Sequence, residues 1–229
     1  MAARGRQQGD IATTSGRRMM GISKNNKQAV SHESVTQRSR EALAVVPPVS
    51  WLATRGGHTR SKSKSRSMIH QYQVMAAYNR QVNRQFYAAC AQLDDAARRQ
   101  NRGAFFGSIH GTLNHLLLVD RLWLGGFTQN PVAFTSLDEE LFGEFDELHR
   151  ERQRTDDDIV AWAASLSDDW LSAPYGDRLT FPAWLAVTHF FNHQTHHRGQ
   201  LSALLSQCGQ DYGVTDLPWV EGMAKLAMA

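Results

Sequence analysis

The chain has 229 residues, a formal net charge of +3 and two cysteines, Cys90 and Cys208. Two cysteines without framework spacing exclude a disulfide-stapled scaffold and make a reducing cytoplasm the default location. No apolar run approaches the roughly 18 residues of a membrane span, and the N-terminus lacks the apolar core of a signal peptide.

The charge is unevenly divided. Residues 1–67 carry 13 Lys+Arg against 3 Asp+Glu, a net of +10, whereas residues 68–229 carry 12 against 19, a net of −7. The first segment is rich in Ser, Thr, Gly, Arg and Lys, and this composition buries too little apolar surface to offset chain entropy. It reads as a disordered basic extension. Met68 also reads as an ordinary protein start, so a start codon assigned too far upstream is the bland alternative. The run from Arg60 to Arg66 offers phosphate contacts but lacks interleaved aromatics, which argues against a nucleic-acid partner.

From Met68 onward helix signals dominate. Residues 70–93 form the first predicted helix, with Tyr72, Met75, Tyr78, Val82 and Phe86 at three- and four-residue steps. A second spans about 104–124 and is expected to stop at Gly125 and Gly126. Residues 127–137 read as a loop. A third helix covers roughly 138–166, its N-terminus favoured by Asp138, Glu139 and Glu140 through the helix dipole. Residues 167–181 read as a loop or a short two-stranded excursion. The fourth helix starts at Pro182, a good first-turn residue, and runs to about Cys208. The tail to Trp219 reads as a docked coil. Four long helices without a strand set predict an all-α four-helix bundle over 68–229.

The fourth helix carries the most informative pattern. With about 100° per residue, Ala186, Phe190, Leu201 and Leu204 define an apolar stripe. His197 lies on this stripe and His193 at its edge, while His189 and His196 point sideways. A buried, unpaired imidazole costs roughly 1–3 kcal/mol, and a divalent metal would satisfy two at i, i+4. On the second helix, His115 borders the apolar stripe and His110 faces away. Facing helices supply metal ligands in bundles, so His115, His193 and His197 form the candidate triad. A hydrogen-bonded core histidine is the better reading for any one of them alone; two on one stripe and a third on a partner helix favour metal. Imidazole suits Zn, Ni, Fe and Cu, and three neutral ligands leave open positions.

The spacing from His193 to His197 matches H-E-x-x-H except for Gln194. Glutamine is no general base, which argues against a metalloprotease. Asp120 is no obvious ligand, and the remaining carboxylates read as solvated faces. Gly199 in mid-helix is expected to permit close helix approach. Arg198 is read as a salt-bridge partner before an anionic-substrate contact. His70 and His149 read as surface or edge residues.

These residues resemble the DinB family (damage-inducible protein DinB; DinB/YfiT-like putative metalloenzymes) over about 68–220. The likeness rests on Tyr78 and Asn79, on Asn114, His115 and Leu116 through Asp120 to Trp123 and Leu124, on the block from His193 to Gln200, and on Asp216 to Trp219. It implies a four-helix bundle in up-down-down-up order and a metal held by His115, His193 and His197. Many relatives have Glu where Gln194 stands, and the first 67 residues have no counterpart in the family pattern. Characterised members of the wider superfamily include thiol-dependent S-transferases and a mycothiol-dependent isomerase, in which a low-molecular-weight thiol meets the metal and becomes a thiolate. Relatives tend to pair as homodimers.

Three functions follow in order of preference. The first is a cytoplasmic metal-dependent enzyme that transfers a small thiol to a small-molecule electrophile. The second is a non-catalytic metal-binding or stress-response protein, which predicts no pocket beside the triad. The third is a DNA-associated protein acting through the basic tail.

Overall fold

A computed structural model of the chain describes residues 68–176 and 180–229. Residues 1–67, expected to form a basic extension, lie outside the described residues, as do Asp177 and Leu179 of the predicted excursion. The described chain is all-α apart from one small hairpin. Its elements are α1 (Met68–Cys90), α2 (Asp95–Arg99), α3 (Ile109–Phe127), α4 (Phe145–Ala164), α5 (Asp168–Ser172), β1 (Pro174–Tyr175), β2 (Phe181–Pro182), α6 (Ala183–Gln207), a 3-10 turn (Leu217–Trp219) and α7 (Met223–Met228). The excursion is thus two-stranded: β1 and β2 pair antiparallel, with Pro174 opposite Pro182 and Tyr175 opposite Phe181. The tail is more than a coil, since α7 packs on α1.

The four long helices close a cycle, α1 and α3 each packing on both α4 and α6. Their apolar faces form two clusters. One contains Phe86, Leu113, Leu148 and Leu201. The other contains Ala76, Phe127, Ile159 and Phe190. Between them each helix contributes buried polar residues: Asn79 and Asn83 from α1, Asp120 from α3, Arg152 and Asp156 from α4, and Gln194 and Arg198 from α6. The helix directions follow from this layering. α1 and α6 pass from the second cluster through the polar layer to the first, and α3 and α4 pass the other way.

Three helix boundaries differ most from expectation. α3 begins at Ile109 because Ser108 caps it, its Oγ accepting from Gly111 N at 3.0 Å. Residues 104–107 instead form a tight turn closed by Gly107 N donating to Ala104 O at 2.8 Å. At the other end Gly125 and Gly126 do not stop the helix, which continues to Phe127. They are places of close approach: a Cβ on Gly125 would collide with the Asn130 carbonyl, and one on Gly126 would meet the Tyr175 hydroxyl. α4 begins at Phe145, so Asp138, Glu139 and Glu140 are not its first turn. Glu139 folds back on Thr135, accepting from its backbone N at 2.7 Å and its hydroxyl at 2.8 Å. Glu140 accepts from Arg99, and Asp146 and Glu147 take the first-turn positions.

Candidate metal centre

α3 supplies His115, and α6 supplies His193 and His197 one turn apart. One nitrogen from each ring lies within 4.8 Å of the others, and no other such His/Cys/Asp/Glu group occurs among the described residues. The Nε2 atoms of His115 and His193 are 3.3 Å apart. His115 and His197 are buried, and His193 is half-buried. The three predicted site residues therefore do meet.

Hydrogen bonds orient two of the rings. His115 Nδ1 donates to the Leu137 carbonyl at 2.7 Å, and His197 Nδ1 donates to Gln200 Oε1 at 2.9 Å. A proton held on Nδ1 leaves the Nε2 lone pair free. Partners of this kind fix tautomer and ring orientation in metal-ligating histidines. His193 Nδ1 is buried without a partner among the described residues. All three rings are held neutral. Burial lowers the pKa of His115 and His197. Burial, then the neighbouring imidazoles of His197 and His115, pushes His193 down to about 3. Three neutral imidazoles converging through free nitrogens are a donor set that can hold a divalent metal.

Phe106 covers the group. Its ring stacks on His115 with centroids 3.7 Å apart and is tilted against His197 at 5.4 Å. Gly111 makes this possible, because a Cβ there would collide with the Phe106 carbonyl. Two cavities open onto the triad. One, of about 660 Å³, is walled by Phe105, Phe106, Asp138, His196 and Gln200. The other, of about 580 Å³, is walled by Val119, Leu122, Trp123, Phe134 and Tyr175. His115, His193 and Leu137 line both.

His189 and His196 are exposed, in keeping with their sideways positions on the helix. His110 does not face away. It is 1 % exposed, because the segment before α4 folds over that side of α3. Its Nε2 donates to the Phe142 carbonyl at 3.0 Å. Asn114 clamps the same segment, donating to the Phe142 carbonyl at 3.2 Å and accepting from Phe142 N at 3.0 Å. His149 sits at an edge, stacked on Tyr87 at 4.9 Å.

Beneath the triad lies the polar layer. Asp120 and Asp156 are not on solvated faces, because α4 lays Arg152 between them. Arg152 contacts Asp120 Oδ2 at 2.6 Å and Asp156 Oδ1 at 2.9 Å. Asn83 donates to Asp156 at 2.9 Å. Gln194 donates to Asp120 Oδ1 at 2.8 Å, so its amide turns away from the histidines. Arg198 forms no salt bridge among the described residues. It is buried with both terminal nitrogens unpartnered, its guanidinium 5.4 Å from the Tyr78 ring. Gly199 is exposed and a Cβ there would meet nothing within 4 Å, so it serves no close helix approach.

The model of the DinB family matches residues 68–228. The chain belongs to the DinB family. A solved structure, a DinB-like protein from Bacillus cereus ATCC 10987, is similar over 58% of this chain and 89% of that one, with 18% identity and a TM-score of 0.48. None of the curated proteins matches. The DinB match includes the whole of α3 and α6, and so all three histidines. No described helix is long and apolar enough to cross a membrane.

Proposed function

We propose that this DinB-family protein is a metal-dependent enzyme that transfers a low-molecular-weight thiol to a small-molecule electrophile. The observation that carries it is a set of three neutral imidazoles, all three lining one cavity and two of them, His115 and His193, lining a second as well. Transfer needs two substrates to meet at one centre, and a closed structural site would need no cavity. A divalent cation (Zn, Ni or Fe) held by His115, His193 and His197 would supply a lowered pKa to a thiol sharing its coordination. The chain's own residues do the rest. Leu137 and Gln200 hold two rings in the tautomer that frees Nε2. Phe106 keeps water from one face of His115. In the reaction the thiol sulfur forms a bond to carbon, the leaving group departs with its electron pair, and the thiol proton goes to solvent. Gln194, tied to Asp120, supplies no base, which disfavours proteolysis.

The helix directions support an up-down-down-up four-helix bundle at 68–229, preceded by a separate basic extension at 1–67. The proposed protein is cytoplasmic and homodimeric, and its partners are small molecules.

The test uses untagged full-length protein. Elemental analysis of the native protein and of His197→Ala is expected to find a divalent metal in the first and little in the second. Incubation with glutathione, bacillithiol or mycothiol and a panel of electrophiles is expected to consume thiol only with metal present. Bound metal without thiol loss across the panel would leave the non-catalytic metal-binding or stress-response alternative.

A further inference from the structure

The two cavities at the triad differ in what they can accept. The one of about 660 Å³ includes a carboxylate, an amide and an extra imidazole in its wall, from Asp138, Gln200 and His196. Those groups suit a polar thiol. The other contains no Asp, Glu, Lys or Arg in its lining. Its polar side-chain groups are the Tyr175 hydroxyl, the Trp123 indole N–H, the imidazole of the exposed His189 and, at its inner end, those of His115 and His193; the rest is aromatic and aliphatic. A charged substituent carried into it would lose its water and meet no counter-charge, at a cost large enough to exclude it.

The wall also has shape. The Trp123 and Tyr175 rings lie 28° apart in plane with centroids at 6.4 Å, and His189 tilts against Trp123 at 5.1 Å. Nearly parallel ring faces favour a planar guest through offset stacking. At the mouth, Val132 is 38 % exposed and Phe134 49 % exposed. Large apolar side chains left in water beside a cavity gain burial when a guest covers them. The volume, about 580 Å³, falls in the usual range for small-molecule sites.

We infer that this second cavity is the electrophile's site, and that it takes an uncharged, predominantly apolar aromatic molecule of up to three rings. The inference rests on the proposed transfer reaction for its orientation, since His115 and His193 at the inner end are where the reacting carbon would meet the thiol. The binding preference itself rests on the wall alone.

The experiment therefore reads binding first. Full-length protein is titrated with N-phenyl-1-naphthylamine, an uncharged dye that brightens in apolar surroundings, and with the anionic 8-anilino-1-naphthalenesulfonate. The uncharged dye is expected to bind saturably and at least tenfold more tightly. Leu122→Glu and Val132→Glu each place a charge in this cavity and are expected to weaken it at least tenfold. Val132 is exposed, so its replacement keeps the test valid if the Leu122 variant fails to fold. Phe105→Glu, at the rim of the other cavity, is expected to leave dye binding unchanged. Zinc affinity, measured by competition with a chelating indicator, is expected to be unaltered in Val132→Glu. No saturable dye binding, equal affinity for the anionic dye, or loss in Phe105→Glu with retention in Val132→Glu would each overturn the inference. Dye mapped to this cavity without any thiol consumption would instead overturn the transferase reading and leave the apolar site standing.

Discussion

Gln200 does for His197 what the Leu137 carbonyl does for His115: it accepts the Nδ1 proton and leaves Nε2 free. Gln200 Nε2 also contacts His196 Nε2 at 3.2 Å, so its amide is held between two rings. Loss of a partner that orients a ligand typically costs 10–100-fold in metal affinity. Gln200→Leu is therefore expected to weaken metal binding by about that factor, as measured by indicator competition, with the helical circular dichroism unchanged. The rings also set an acid limit. His193 has its folded-state pKa lowered from 6.5 to about 3. Between these values the unfolded chain binds more protons than the folded one, so stability rises with pH across that window and falls as pH drops through it. Urea titrations of metal-free protein from pH 7 to pH 4 are expected to show this loss, and His193→Gln to reduce the slope. Which histidines would converge was legible in the sequence because three of them sit at helical spacing beside apolar stripes. Their hydrogen-bond partners were not. Leu137 contributes a backbone carbonyl from a loop, and loops carry no periodicity that places a carbonyl.

At the scale of the element, glycine was the least readable residue. Gly199 looked like a packing contact and is an exposed mid-helix residue with space around it. Gly111 carried no distinguishing signal, yet it admits the Phe106 turn against α3. Sequence offers no means of separating them, since what matters is a neighbour far away or on an irregular turn. Opposite outcomes follow for the same replacement. Gly199→Ala is expected to stabilise the protein by about 1 kcal/mol, the usual difference in helix propensity. Gly111→Ala is expected to destabilise it by roughly 1–3 kcal/mol through overpacking and to displace Phe106 from His115. Chemical denaturation checks both, and the ring-current shift of the His115 proton resonances reports the second. Helix interiors, by contrast, were legible to within a few residues for α1 and α6, whose apolar periodicity runs the whole length. α4 starts later than its acidic run suggests, because Asp138, Glu139 and Glu140 carry the charge of a helix N-terminus but Glu139 caps a turn at Thr135 and Glu140 pairs with Arg99.

At the scale of the whole molecule, the feature least visible in the sequence is the charged layer between the two apolar clusters. Asp120, Asp156 and Arg152 are each 3 % exposed or less, although single carboxylates and guanidiniums are nearly always solvated. What makes them tolerable is pairing: Asp120 and Asp156 both contact Arg152, and the nearby Arg198 attracts both. Such a layer disfavours any sliding of one helix by a turn, which would put a charge against Leu or Phe, and so it supports one helix alignment around the histidines above it. Removing one member leaves the others uncompensated, typically at a cost of 3–5 kcal/mol, whereas replacing a whole pair by apolar groups of similar volume is often close to neutral. Arg152→Met is therefore expected to lower stability by about 3–5 kcal/mol. Arg152→Met combined with Asp156→Leu, which removes one charge of each sign, is expected to recover a substantial part of that loss. If urea denaturation finds the two changes additive, charge balance is not what holds the layer together. The hydrogen bonds from Asn83 and Gln194 would then be its main support.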